Sequence, residues 1–215
     1  MTLFHLTDHA HVAIIGQDSV WLDTRDDAYL CLPDAGLRRV NAAAVEIADL
    51  DVADALTGQG LVTAISAKCA RRDLPRPPLR DVHDFPEMTP VRSSVAPLLA
   101  AGLRLYLDGH RGSIADLMAM AQRWPQPHAS PSSLAATLAV AKRVNRWLRW
   151  APGSGACLQH AFALTYALRH AGLPATWVIG VQTWPFLAHA WVQAGDVALN
   201  DTAERLSGFE PILAM

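Results

Sequence analysis

The sequence predicts an α+β fold on three observations. Strand-like patterns come first, helical patterns fill the middle of the chain, and strand-like patterns return near the C-terminus. The chain has 215 residues, of which 51% are hydrophobic and 18% charged, so it can bury the core of one large domain or two small ones. Residues 73–92 contain five prolines, which predicts an interdomain linker because such a stretch cannot hold a helix or a central strand.

Residues 1–72 are predicted to form a small domain that begins with strands. Apolar runs at 11–15, 20–22 and 28–32 are separated by turn-forming residues and predict three short antiparallel strands. Short helices are expected at about 37–48 and 51–58. Three strands followed by small helices are typical of a winged-helix-like domain.

Residues 93–215 are predicted to form a second domain with helices first and strands afterwards. Apolar-periodic segments at about 95–107, 113–124 and 132–150 each begin near a serine suited to cap a helix. A Pro-Gly-Ser-Gly break at 152–155 precedes a fourth helix at about 156–171. Strands are then expected at 175–181, 187–193 and 197–200.

Composition excludes several classes of protein. The three cysteines, Cys31, Cys69 and Cys157, form no CxxC pair, which argues against a disulfide scaffold and a zinc ribbon, so we expect free thiols and no metal. No apolar stretch is long enough to span a bilayer and no secretory signal is readable, so we expect a soluble, cytoplasmic protein. The first 60 residues carry a net charge of −7, which argues against a nucleic-acid ligand.

Cys157 is the first candidate for chemistry because it lies in the first turn of the predicted fourth helix. The helix dipole and the free N–H groups at that end favour a thiolate and can stabilise an oxyanion. Taken alone, a cysteine on an apolar helical stripe is more often an inert core residue.

His189 and Asp201 strengthen the case for an active site. His189 interrupts an apolar strand, where a lone histidine is usually a satisfied core residue. A two-residue turn at 195–196 would place Ala190 opposite Asp201, whereas a three-residue turn would pair His189 with Asp201 directly. Both registers put the carboxylate beside the imidazole, so the sequence predicts a Cys-His-Asp relay. Asp196 is interpreted as a turn former.

His160 is the alternative base, three residues after Cys157 on the same helix. We rank it below His189 because no partner in the sequence would orient its ring. Cys31 and Cys69 lack both a helix start and a neighbouring histidine, so they are interpreted as packing or exposed thiols.

Longer motifs around these residues resemble a known family, the transglutaminase-like cysteine peptidases of lasso-peptide biosynthesis. The motifs are CLQHAFALTYALRH headed by Cys157, VIGVQTWPFLAHAWV at 178–192 and NDT at 200–202. Residues 1–70 resemble the recognition element for ribosomally made, modified peptides, through VWLDT at 20–24 and YLCLPDAG at 29–36.

The resemblance implies a transglutaminase- or papain-like peptidase fold for residues 93–215. It also implies that Cys157, His189 and Asp201 cleave the leader from a lasso-peptide precursor through a thioester. A separate asparagine-synthetase-like cyclase would then use ATP to close the ring, so this chain itself needs no cofactor. Neither nucleic acid nor a membrane is expected as a partner.

The same resemblance points to a leader-binding strand in the N-terminal domain. An exposed third strand can take the leader as an additional strand. Its residues are Ala28, Tyr29, Leu30, Cys31 and Leu32.

Two other functions remain open from the sequence. The same three residues could pass an acyl group to an amine, as a transglutaminase or another acyltransferase does, instead of to water. The chain could also be a non-catalytic module that delivers the precursor to a cyclase. The mass of the product separates the first alternative, and selective alkylation of Cys157 tests the second.

Overall fold

The structure is a computed structural model that describes residues 1–65, 71, 73–86, 112–125, 133–148 and 157–215. It confirms the α+β class, with several sheets and helices. The helix predicted at 95–107 and Cys69 lie outside the described residues.

The three strands predicted near the N-terminus are confirmed as an antiparallel sheet in the order β2-β3-β4. They are β2 (Ala10–Ile15), β3 (Asp18–Asp23) and β4 (Ala28–Leu32). β4 is the outer strand and pairs with β3 along its whole length. Among the described residues, no strand pairs with the other edge of β4.

A second N-terminal sheet was not expected from the sequence. Its order is β5-β6-β1-β7. Its members are β1 (Thr2–Leu6), β5 (Leu37–Asn41), β6 (Ala44–Ile47) and β7 (Val62–Thr63). The helix predicted at 37–48 is therefore wrong, because this segment forms the β5-β6 hairpin, and Val45 and Ile47 bury their side chains in the core between the two N-terminal sheets. The helix predicted at 51–58 is confirmed as α1 (Leu50–Gly58), capped by Asp49.

The C-terminal half contains three of the predicted helices and a five-stranded sheet. The helices are α2 (Ile114–Gln122), α3 (Ser133–Leu148) and α4 (Cys157–His170), which confirm the predictions at 113–124, 132–150 and 156–171. The sheet order is β12-β9-β10-β11-β8. Its strands are β8 (Arg80–Asp81), β9 (Thr176–Gln182), β10 (Leu187–Ala194), β11 (Val197–Ala198) and β12 (Glu210–Ala214). A short helix, α5 (Ala203–Leu206), precedes β12.

The β2-β3-β4 sheet lies between two cores because its side chains alternate between its faces. Trp21 and Leu30 pack with the second N-terminal sheet and α1. Val20 and Tyr29, one position away in each strand, pack with the C-terminal helices and sheet. One of the two cores therefore contains side chains from both halves of the chain. The division at 1–72, 73–92 and 93–215 stays a prediction.

Two hydrogen bonds fix the β2-β3-β4 sheet beside the C-terminal half. Asp27 accepts from the backbone N–H of Ile114 at 2.8 Å, at the first residue of α2. Asp18 accepts from the indole N–H of Trp184 at 2.7 Å. Strand β4 is thus held in a defined position relative to the β9-β10 hairpin. None of the described helices is long and apolar enough to cross a membrane.

Candidate active site

Cys157 is the first residue of α4, as the sequence predicted, and its side chain is half-buried against the C-terminal core. This end of the helix offers backbone N–H groups without partners inside the helix. The N–H of Leu158 is directed at the sulfur, as is the N–H of Ala190 on β10. The thiol therefore lies where α4 begins, next to strand β10.

His189 lies on β10 with 9% of its surface exposed, and Asp201 follows β11. The imidazole Nε2 and Asp201 Oδ2 are 2.7 Å apart. The pairing of Gln193 with Ala198 shows a two-residue turn, which is the first of the two registers considered above. Both registers predicted contact between the imidazole and the carboxylate, and the structure confirms that contact.

The segment that carries Asp201 is held by hydrogen bonds on both sides. The side chain of Asn200 accepts from the N–H of Val192 at 2.8 Å, which continues the pairing with β10 after β11 has ended. The second carboxylate oxygen of Asp201 accepts from the N–H of Thr202 at 2.8 Å. Arg205 lies 3.4 Å from the oxygen that faces His189. The carboxylate is therefore fixed before any substrate binds.

The charges of the three side chains support one another. Burial alone would lower the pKa of His189, but its hydrogen bonds to Asp201 and Cys157 and the charges of both raise that pKa to about 9. The hydrogen bond from His189 lowers the pKa of Cys157 against the opposing effect of burial, and the N–H groups of Ala190 and Leu158 lower it further. Burial raises the pKa of Asp201, but the bonds to His189 and Thr202 outweigh burial and lower it.

These shifts favour a thiolate on Cys157 paired with an imidazolium on His189. Because Nε2 faces Asp201, Nδ1 is the ring nitrogen left for Cys157. A nucleophile, a base beside it and a carboxylate that orients the base form the arrangement used for nucleophilic acyl transfer. The N–H groups of Leu158 and Ala190 are the candidates for stabilising negative charge on a reacting carbonyl oxygen.

His160 belongs to a different hydrogen-bond network. Its Nε2 lies 3.1 Å from the side-chain oxygen of Asn145 on α3, and burial lowers the pKa of the ring. The amide nitrogen of Asn145 donates to the carbonyl of Leu199 at 2.6 Å. These two residues support the backbone two residues before Asp201, so we interpret His160 and Asn145 as positioning residues. Asn145 was missed from the sequence, although an asparagine on the apolar face of α3 was a signal that could have found it.

The five residues of the predicted leader-binding strand form β4. Ala28 is exposed, and the other four are half-buried. Tyr29 is closest to the chemistry: its pKa is raised to about 12 by burial and by the charges of Cys157 and Asp27. Burial also raises the pKa of Cys31, so this thiol lacks the activation that Cys157 receives. Strand β4 therefore runs beside the nucleophile.

A metal site is not evident in the described part of the chain. No group of three or more His, Cys, Asp and Glu side chains converges there in a way that could hold a metal ion.

Comparison with known proteins places this site in a family. The model of the transglutaminase-like superfamily matches residues 100–214, which is more than half of the chain and includes Cys157, His189 and Asp201. The chain therefore belongs to the transglutaminase-like superfamily.

One curated relative matches over a shorter segment. It is the microcin J25-processing protein McjB of Escherichia coli, with 42% identity over 45 residues. The match covers 21% of this chain and 22% of that protein, so it spans about a fifth of either length. No solved structure matches the chain.

Proposed function

We propose that this protein is a cysteine endopeptidase that removes the leader from a ribosomally made lasso-peptide precursor. The observation that carries the proposal is the contact of Cys157, His189 and Asp201, with a lowered pKa on the thiol and a raised one on the imidazole. Membership of the transglutaminase-like superfamily supports thiol-based acyl chemistry.

The proposed reaction has two steps. The thiolate of Cys157 attacks the scissile carbonyl carbon, and His189 donates its proton to the leaving amine as the C–N bond breaks. The leader is left as a thioester on the sulfur. His189, now neutral, takes a proton from water, whose oxygen attacks the thioester carbonyl carbon. The C–S bond then breaks, the leader leaves as a free acid, and the thiolate of Cys157 and the imidazolium of His189 are restored. Asp201 keeps the ring oriented and stabilises its charged form in both steps.

The nature of the substrate rests on two resemblances. The first is the similarity of a segment of this chain to McjB, a protein named for processing microcin J25. The motifs around Cys157, His189 and Asp201 resemble leader peptidases of lasso-peptide biosynthesis. We therefore propose that the freed core peptide passes to an asparagine-synthetase-like cyclase, which consumes the ATP of the pathway.

We further propose that the leader binds along the free edge of β4. The unpaired N–H and C=O groups of an outer strand can accept an extended peptide, with main-chain hydrogen bonds for affinity and alternate side chains for selectivity. β4 is such a strand, and Tyr29 on it interacts with the charge of Cys157. Replacing Tyr29 by proline would remove a main-chain donor and is expected to weaken leader binding while the fold survives; unchanged binding would refute this site.

Leader release from a panel of lasso-peptide precursors tests the proposed function. The purified chain is incubated with each precursor, with and without the cyclase, and the products are identified by mass spectrometry. Cys157→Ala and His189→Ala are expected to abolish release, whereas His170→Ala, an exposed histidine at the end of α4, serves as the matched control. If His160→Ala abolished release while Cys157→Ala and His189→Ala kept full activity, the assignment of the catalytic residues would be refuted.

The product also distinguishes the alternative functions. A leader that ends in a free acid supports hydrolysis, whereas a leader joined to an amine identifies an acyltransferase. Absence of any product, together with equal alkylation of Cys157, Cys31 and Cys69 by limiting iodoacetamide, would identify a non-catalytic delivery module.

A further inference from the structure

A cluster of exposed apolar side chains lies beside the candidate active site. Trp184, Phe186 and Leu187 are 72%, 43% and 49% exposed, and they occupy the turn between β9 and β10 and the first residue of β10. His189 follows Leu187 by two residues. A contiguous patch of exposed apolar side chains commonly marks a binding surface.

Tyr29 extends this cluster to the strand β4. Its ring packs against Phe186 with the centroids 5.4 Å apart and the planes tilted by 55°. Its hydroxyl interacts with the charge of Cys157. Tyr29, Trp184, Phe186 and Leu187, which we call the aromatic rim, therefore join the free strand edge to the nucleophile.

Trp184 is held in a defined position in the rim, and its ring stays exposed to solvent. Trp184 has a φ of +53°, a left-handed conformation that is costly for a bulky residue. Its indole N–H donates to Asp18 at 2.7 Å, and the other oxygen of Asp18 accepts from the N–H of Asp34 at 3.3 Å. The indole stays exposed although its polar atom is satisfied, so the fold presents this side chain to solvent.

The occupant that fits the rim is an extended peptide with an apolar side chain. A peptide added to β4 directs every second side chain to the face that carries Tyr29 and Cys31. The rim offers aromatic and aliphatic surface there. The carboxylate of Asp27 interacts with Tyr29, and that of Asp18 accepts a hydrogen bond from Trp184, so two negative charges border the rim and would repel an acidic side chain.

We infer that the aromatic rim is a specificity subsite that takes one apolar side chain of the substrate peptide next to the scissile bond and rejects an acidic one. This inference rests on the proposed function, because it assigns a substrate feature to the same site. Within it, Tyr29 and Phe186 are specificity-determining residues, and neither is needed to activate Cys157.

Two measurements on the full chain test the inference. In the first, a precursor that the chain cleaves is varied by placing Leu or Asp at each position that flanks the scissile bond, and kcat and KM are measured. In the second, the same peptides carry a fluorophore and bind to the Cys157→Ala variant, which reports selectivity without cleavage. The unmodified chain is expected to prefer Leu to Asp at one position by at least about tenfold in both measurements.

Variants of the rim give the decisive comparison. Phe186→Ala and Tyr29→Ala are expected to reduce the preference for Leu to about twofold or less, mainly through KM, while Tyr29→Phe retains it because the ring remains. The matched control is Leu79→Ala, since Leu79 is 82% exposed and lies outside the rim. The rate at which iodoacetamide alkylates Cys157 should stay the same in Phe186→Ala and Leu79→Ala.

The outcomes separate this inference from the proposed function. Unaltered preference in Phe186→Ala and Tyr29→Ala, or an equal loss for every peptide, would overturn the subsite while cleavage stands. Selective binding that depends on Phe186 but leads to no cleavage would overturn the peptidase and support the subsite. A chain that neither binds nor cleaves any peptide of the panel overturns both.

Discussion

The substitution Asp201→Asn removes the negative charge beside His189 and keeps the shape of the side chain. Asp201 Oδ2 lies 2.7 Å from the imidazole Nε2, so the change converts a charge-assisted hydrogen bond into a neutral one. A hydrogen bond to a charged group contributes about 1.5–3 kcal/mol. Since about 1.36 kcal/mol corresponds to one pKa unit, the pKa of His189 is expected to fall by about 1–2 from its value of about 9.

The consequence for Cys157 follows from the shared proton. A less basic imidazole stabilises the thiolate less, so the pKa of the thiol rises and its reactivity near neutral pH falls. The same 1.5–3 kcal/mol, if lost from the transition state, lowers kcat/KM by roughly 10- to 100-fold. The assay is the pH dependence of iodoacetamide alkylation at Cys157, followed by intact mass, together with leader release at each pH.

Asp196→Asn is the matched control for Asp201→Asn. Asp196 is an exposed carboxylate at the turn before β11, and it pairs with Arg80 at 2.9 Å and not with His189. We expect its variant to keep the alkylation profile and the rate of leader release within about twofold, as surface substitutions usually do. If Asp201→Asn behaves like this control, Asp201 does not support His189 and the reasoning is refuted.

Three further outcomes are expected. Leader release falls as pH rises through about 9, because His189 then loses the proton that the leaving amine needs; a kcat/KM profile that stays flat to higher pH would contradict this. Gly180→Ala places a methyl group 2.5 Å from the ring of Trp191. It is expected to lower the free energy of unfolding by about 1–3 kcal/mol in urea titrations. Gly58→Ala is the control and should not destabilise the protein, because a methyl group there meets open space. Asn145→Ala leaves a carbonyl and an imidazole without their partner and should cost about 1–3 kcal/mol in the same titrations; an unchanged midpoint would show that this network carries no stability.

The candidate site could be predicted from the sequence because its signals are local. A break rich in glycine and proline before an apolar helix fixed the start of α4, and with it the position of Cys157. The short turn between β10 and β11 restricts Asp201 to the neighbourhood of His189 in every plausible register. The structure then selected the two-residue turn.

The errors lie where the partner of a segment is far away in the sequence. The segment 37–48 forms the β5-β6 hairpin, and β6 pairs with β1. The local sequence of this segment is compatible with a helix or a strand, and the pairing with β1, which is distant in the sequence, decides for the strand. Strand β12 likewise pairs with β9 about thirty residues earlier, so no local turn announces it. Asn145 contributes through contacts with α4 and with Leu199, which the spacing along α3 does not reveal.

The titration of Cys157 tests the central proposal most directly. Thiolate absorbance is followed against pH for the unmodified chain, with Cys157→Ala subtracted to isolate this sulfur, and His189→Ala is measured in parallel. A thiolate that persists below the ordinary thiol pKa of about 8.5, and that is lost in His189→Ala, is the expected result. A Cys157 thiol that titrates at about 8.5 or higher in the unmodified chain, with no change in His189→Ala, would contradict the account.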